Sequence, residues 1–287
     1  MKRIVVISDV HSNYVAFESA VKAIEKINPD GIIFLGDYVT DFPNTQKTMN
    51  LIYMCRSKYN CWFIRGNRED YLIEHDNNPN DGWCYCSSVG SLLYTYENLT
   101  KKDLIFFRKM PICLDINIDG CPTLTVCHGS PKSTKENILN NKPSQLKYIN
   151  SINGDILICG HTHHRNIINI CDKQIVFCPS LGLTQDNEKY GCSAITLLSC
   201  IDNKWKVEFL NIEFDADRLI CDYKNSDLLN KAPVFARCII KNIETNSDLA
   251  YKCVVLAWDY AKKDKFKSSG ILPERYWEKA AKDLKLI

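Results

Sequence analysis

MKRIVVISDVH, residues 1–11, joins an apolar run to an acid and an imidazole two positions apart. Residues 4–7 read as a buried strand. The basic start resembles the head of a signal peptide, but Asp9 and His11 arrive too soon for a hydrophobic region of that kind. Near a strand end, residues two apart point the same way, so Asp9 and His11 can share one ligand.

Outward from this segment the pattern repeats. Residues 13–27 form an amphipathic helix, with Ser12 as its expected N-cap and Pro29 beyond its end. Strands come next at 32–35 and 61–64, separated by a helix over 44–56. This is the βαβαβ rhythm of a mostly parallel sheet covered by helices. Helices are expected at 87–98 and 101–109, the second opened by a capping box of Thr100 and Asp103. Residues 112–118 and 123–127 form a hairpin around Asp119-Gly120, and 156–159, 167–170 and 175–178 are further strands. Residues 194–198 and 204–209 flank Asp202-Asn203 as another hairpin. Past Asp215 the pattern is helical, near 226–243, 247–263 and 273–286. The expected organisation is a domain over 1–214 and a C-terminal helical extension over 215–287 packed on it.

The bulk numbers narrow the class. The chain has 287 residues, a net charge of +2 and 24% charged residues, so it carries no nucleic-acid electrostatic footprint. It has no apolar run of transmembrane length. Its 15 cysteines form no Cys-x-x-Cys pair; Cys84-Tyr85-Cys86 comes nearest and matches no common zinc spacing. They read as reduced, mostly buried thiols of a cytoplasmic protein. The basic run Lys262 to Lys267 reads as a solvated helix end.

The residues that carry chemistry stand directly after the strands: Asp9-Val10-His11, Gly36-Asp37, Gly66-Asn67, His128-Gly129 and Gly160-His161-Thr162-His163. In an open α/β sheet the carboxyl ends of the strands share one edge, where ligands bind. Two aspartates, an asparagine and four of the chain's 6 histidines therefore converge. These hard oxygen and imidazole donors suit Mn, Fe, Zn or Co. The turn can splay His161 and His163 to two ions, and the adjacent glycines let the backbone come close.

In this order, these motifs and Gly66-Asn67-Arg68-Glu69 resemble the calcineurin-like metallophosphoesterase family over about the first three-quarters of the chain. The resemblance implies an α/β fold, a four-layer αββα sandwich of two mixed sheets, with the second hairpin extending the second sheet. It implies two divalent metal ions: Mn foremost, with Fe, Zn, Co or Ni as alternatives. Asp9, His11 and His163 would hold one ion, Asp37 would bridge, and Asn67, His128 and His161 would hold the other. The implied activity is hydrolysis of a phosphate diester or monoester of a small organic phosphate by hydroxide held between the ions.

Two positions depart from the family's pattern. Many members place a histidine that resembles a general acid after Gly-Asn; here Arg68 stands in its place and keeps its proton. Arg68 is expected as a catalytic phosphate clamp, the competing reading being a pair with Glu69, Asp70 or Asp41. His75 is the alternative proton donor. Many members also carry an aspartate where Thr40 stands, whereas here the acid is Asp41. Asn13 is expected either to bind substrate or simply to start its helix. Pro179 to Gly182 reads as a structural turn closing the site floor. Trp258, Tyr276 and Trp277 either pack the extension or wall the site. Competing functions are a phosphoprotein or dinucleoside polyphosphate phosphatase, and a non-catalytic protein-interaction scaffold on the same fold. No membrane partner is expected; the oligomeric state stays open.

Overall fold

A computed structural model describes residues 1–138, 141–186, 189–245, 247–267 and 270–287. Its strands are β1 (Lys2–Ile7), β2 (Gly31–Phe34), β3 (Cys61–Phe63), β4 (Cys113–Ile116), β5 (Leu124–Cys127), β6 (Ile156–Cys159), β7 (Asn166–Ile170), β8 (Lys173–Phe177), β9 (Cys192–Ile201) and β10 (Lys204–Glu213). Its helices are α1 (Tyr14–Ile27), α2 (Thr45–Lys58), α3 (Asn67–Asn77), α4 (Gly90–Glu97), α5 (Lys101–Arg108), α6 (Lys142–Ile149), α7 (Ala216–Lys224), α8 (Leu228–Lys231), α9 (Pro233–Thr245), α10 (Leu249–Lys263) and α11 (Glu274–Asp283).

Two five-stranded mixed sheets, in the orders β10-β9-β1-β2-β3 and β4-β5-β6-β8-β7, pack face to face between helices. The alternation of the strands explains the layers. Ile4, Val6, Ile33 and Leu35 point between the sheets, where they meet Val126, Ile158, Val176 and Leu198. Val5, Ile7, Ile32 and Phe34 point the other way, onto Phe17, Ile24, Ile52 and Phe107 of the covering helices. The outer face of the second sheet, with Leu157, Ile175 and Phe177, is covered by Tyr148 and Ile149 of α6. The central strands are thus covered on both faces, which is why they are continuously apolar, whereas β7 and β10 keep exposed residues.

The hairpin β9–β10 corrects the sequence reading. It extends the first sheet, not the second, because β9 runs antiparallel to β1, pairing Val5 with Leu197 and Ile4 with Leu198. β1 has β2 on one side only, and the loop after β8 is tied to it by Leu181 N–H donating to Ser8 O, so the chain emerges beside the open edge of β1. The turn itself is as expected: Asp202 and Asn203 both take positive φ, the geometry of a two-residue hairpin loop.

Helix α1 begins one residue later than expected. Its N-cap is Asn13, whose side-chain oxygen accepts from Ala16 N–H, while Ser12 Oγ instead accepts from Thr40 N–H. The capping box of Thr100 and Asp103 forms as read. The C-terminal helices bury their own core of Leu219, Tyr223, Ile239, Cys253, Trp277 and Ala281, continuous with Val15 and Phe42 of the sheet-bearing part. Among the described residues, no helix is long and apolar enough to cross a membrane.

Candidate metal centre

The ends of β1, β2, β3, β5 and β6 deliver Asp9, His11, Asp37, Asn67, His128, His161 and His163 to one edge shared by the two sheets. The loops are stitched together before any side chain is counted. Asp9 N–H donates to Gly36 O, His11 N–H to Asp37 O and Gly160 N–H to His128 O. Asp9, His11, Asp37, His161 and His163 all sit at positive φ, between 52° and 65°. Asp and His tolerate that region better than most residues, at a cost of order 1–3 kcal/mol each. Such strain is kept where it re-aims side chains. A Cβ on Gly66 would run into the Asp37 carboxylate, and one on Gly160 would strike Ser8 Oγ and Asp9. These two glycines let neighbouring loops touch.

The donor atoms fall into two groups that share Asp9: Asp9, His11 and His163, and Asp9, Asp37 and His128. Asp37 faces both, with Oδ2 3.8 Å from His11 Nε2 and Oδ1 3.5 Å from His128 Nε2. Asn67 joins the second group through Oδ1, 3.0 Å from His128 Nε2. His161 lies outside both groups, its ring centroid 5.0 Å from that of His128. Its backbone N–H donates to Asp9 Oδ2.

The far ring nitrogens set the tautomers. His163 Nδ1 lies 2.9 Å from Leu183 O, His128 Nδ1 2.7 Å from Leu35 O, and His11 Nδ1 2.9 Å from Asp41 Oδ2. Each partner only accepts, so each Nδ1 donates, and in a neutral ring each Nε2 presents a lone pair. Two contacts then set acceptor against acceptor: His11 Nε2 with His163 Nε2 at 3.1 Å, and His128 Nε2 with Asn67 Oδ1 at 3.0 Å. Asp9 Oδ1, fully buried, has no hydrogen-bond partner among the described residues. Such an arrangement calls for positive charge between the donors, and divalent metal ions fit it with imidazole and carboxylate ligands.

The titration behaviour agrees. Burial would lower the His128 pKa, but Asp37 and Asp9 raise it to about 10. Burial would raise Asp9, but the charges of His128 and His163 bring it down to about 2. Burial and His128 lower His161 to about 4, so it stays neutral and available as a ligand. In metal-free protein a proton on His128 Nε2 thus relieves its contact with Asn67 Oδ1, and Asp9 likewise favours the charged form of His163; a metal would take the place of such protons.

The supporting roles of two carboxylates escaped the sequence reading. Asp41, fully buried and at φ 65°, fixes the His11 ring. Thr40, at φ 101°, swings the chain so that the acid one residue late still reaches the histidine. A carboxylate behind a ligand histidine sets its tautomer and basicity. Glu69 accepts from the backbone N–H groups of Gly66, Asp37 and Tyr38, locking β2's exit loop to the start of α3. Burial and the Asp37 charge push its carboxyl up to about 8, against the pull of the Asp37 and Gly66 N–H groups. Its signal was the acid three residues after Gly66, the spacing of a capping box.

Arg68 points into the site. Its Nη2 lies 3.1 Å from Asp41 Oδ2, so of the three acids expected as partners Asp41 takes it. Asp70 instead pairs with Arg65, and Glu69 turns inward. Arg68 Nε is buried, 4.0 Å from Asp37 Oδ2, and has no hydrogen-bond partner among the described residues. Asn13, expected either to bind substrate or to start its helix, is the N-cap of α1. It is fully buried, and both ends of its amide are engaged, the oxygen by Ala16 N–H and the nitrogen by Gly182 O. His75 stacks on Trp83 at 4.1 Å and binds Asp81 at 3.0 Å, outside the residues that line the site. The turn after β8 closes the floor, with Ser180 Oγ donating to Asp9 O.

The centre opens into a cavity of about 590 Å³ whose opposite wall comes from the C-terminal helices. Trp258 and Trp277 line it, whereas Tyr276 is buried against Phe266, so the three aromatics divide between walling and packing.

The sequence profile of calcineurin-like phosphoesterases matches residues 2–165. An uncharacterized protein of Methanocaldococcus jannaschii is 23% identical over 231 residues, covering 74% of this chain and 88% of the relative. The fold is similar to that of a hypothetical protein of Pyrococcus horikoshii OT3, with a TM-score of 0.71 and 19% identity over 85% of this chain and 98% of the other. It is also similar to a metallophosphoesterase of Sphaerobacter thermophilus, with a TM-score of 0.65 and 19% identity over 85% and 99%.

Proposed function

The chain belongs to the calcineurin-like phosphoesterase family, and from that premise we propose that it is a dinuclear metal-dependent phosphoesterase acting on a small organic phosphate. The observation that carries the reading is the pair of acceptor–acceptor contacts flanking Asp9 and Asp37. Asp9, His11 and His163 would hold one ion. Asn67, His128 and His161 would hold the other, and Asp37 would face both. When bound, divalent ions supply Lewis acidity toward phosphoryl oxygens and lower the pKa of water, so that a nucleophile exists near neutral pH.

The chain's own residues do the rest. Asp41 holds the His11 ring with Nε2 turned to the centre. Leu35 O and Leu183 O do the same for His128 and His163. Arg68, anchored on one side by Asp41, presents the exposed part of its side chain to the cavity, where its charge would meet a phosphoryl oxygen and stabilise charge that develops there. It holds its proton throughout, so it does not protonate the departing alcohol. Esters whose alcohol leaves without help, such as aryl esters and activated diesters, are therefore favoured. A cavity of about 590 Å³, with the C-terminal helices standing opposite the centre, favours a small ester over a folded phosphoprotein.

The test is turnover of a chromogenic diester and its matching monoester by metal-stripped protein refilled with manganese. Diester hydrolysis that returns only with metal is expected. Metal binding without hydrolysis of either ester would favour the scaffold reading.

A further inference from the structure

We propose that the substrate is an ester carrying a single phosphoryl group on an alcohol with a bulky apolar body, and that the C-terminal helices supply the wall that selects it. This rests on the phosphoesterase reading above. The wall facing the metal centre is made by Phe235 and Ile239 of α9, Tyr251, Val254 and Trp258 of α10, and Trp277 of α11. Trp258 remains 39% exposed, while Trp277 is buried, so one indole is free to cover a ligand and the other is part of the frame.

Several polar groups behind this wall are engaged within the protein. Ser88 Oγ accepts from Leu272 N–H and from Trp277 Nε1–H. Ser87 Oγ accepts from Val234 N–H and donates to Glu274. Asn242 Oδ1 accepts from the N–H groups of Leu249 and Ala250. A ligand body laid on α9, α10 and α11 meets chiefly rings and aliphatic groups, while Thr162, Thr184 and Gln185 line the cavity outside these helices, so on the helical wall contact area and stacking decide its affinity. A heavily hydroxylated or sugar-like body would gain less from this helical wall than an apolar one.

Charge limits the phosphate count. Among the described residues lining the cavity, Arg68 is the one permanent cation, and Asp41 already neutralises it in part. Asp248, at the N-cap of α10, adds an acid to the lining. A second phosphate beyond the metal centre would find no cation to meet it, which disfavours polyphosphates.

The experiment is calorimetry of manganese-loaded full-length protein with methyl phosphate and with 2-naphthylmethyl phosphate, whose anionic ends are alike. Alongside it, turnover of the methyl and 2-naphthylmethyl esters of p-nitrophenyl phosphate is measured; these share a leaving group. The naphthylmethyl compound is expected to bind at least about tenfold tighter, with the same preference in kcat/KM carried by KM. Trp258→Ala should shrink the affinity ratio several-fold, while Trp258→Phe should keep most of it. Equal affinities in the wild-type protein, or a ratio indifferent to Trp258→Ala, would overturn the proposal. Preference in binding with no turnover of either diester would keep the apolar wall and remove the phosphoesterase reading. Turnover without preference would do the reverse.

Discussion

The two walls of the cavity differ in their backbones. On the strand-end side Asp9, His11, Asp37, Thr40, Asp41, His161 and His163 all take positive φ. On the helical side, over residues 216–287, left-handed backbone is confined among the described residues to Lys265, Gly270 and Lys285, between or after helices. The first wall buries acids and imidazoles against one another; the second buries aliphatic and aromatic groups in regular helices. Strained loops aim donor atoms at a point, which regular structure does not do. Helices present a broad apolar face, which strained loops do not do. Under the proposed function, chemistry falls to one wall and choice of ligand to the other, and the strain of the first is offset by the packing of the remainder.

That division can be broken from either side. The largest effect is expected on the loop wall. Asp37→Asn should cost on the order of a thousandfold in kcat/KM, since one carboxylate facing both groups loses its charge. Gly66→Ala should match it by forcing the Asp37 carboxylate aside, with circular dichroism unchanged. On the helical wall the response should be a loss of stability. Trp277→Ala removes a buried indole packed on Phe235 and hydrogen-bonded to Ser88, which should cost about 3–5 kcal/mol in chemical denaturation. If Trp277→Ala abolished metal binding while leaving stability intact, the two walls would not be separate.

Smaller effects sharpen the comparison. Asp41→Asn should weaken metal affinity by about 10–100-fold without unfolding the protein, because it loosens the His11 ring and takes no ligand away. The subtlest effect is pH dependence of the metal-free protein. The folded pKa of His128 is raised from 6.5 to about 10, so its contribution is complete below 6.5 and is lost as pH rises through 10. That of Asp9 is lowered from 3.8 to about 2, so its contribution is present above 3.8 and is lost as pH falls toward 2. Melting temperature of metal-stripped protein should therefore fall by several degrees between pH 6.5 and 10. With metal bound, this dependence on the alkaline side should flatten, since metal displaces the proton from His128.

The same contrast explains what the sequence made legible. Asp9-x-His11 and His161-x-His163 are local patterns at strand ends, so α/β topology implied their convergence without long-range information. Asp41 was harder to assign because its reach to His11 depends on left-handed backbone at Thr40 and Asp41, and neither residue type announces that conformation. Ser12 and Asn13 are both good caps, and only the contact of Ser12 with Thr40 decides between them. The hairpin β9–β10 was visible from Asp202-Asn203, but alternation along a strand does not say which sheet edge it joins. Trp258, Tyr276 and Trp277 look alike in sequence; helix phase and the docking of Ser87 and Ser88 onto Glu274 and Trp277 divide them into lining and core. The helical wall carries no motif, so its part in the cavity appears only once the fold is assembled.

The most direct test of the central claim, that two acceptor-facing-acceptor contacts mark two metal sites, is a manganese titration of metal-stripped protein. Bound metal per chain and hydrolysis of bis(p-nitrophenyl) phosphate would be measured together. The structure predicts binding that saturates at two ions per chain, proton release on binding, and turnover that reaches its plateau with the second ion. Saturation at one ion with full turnover, or no binding at all near neutral pH, would contradict it.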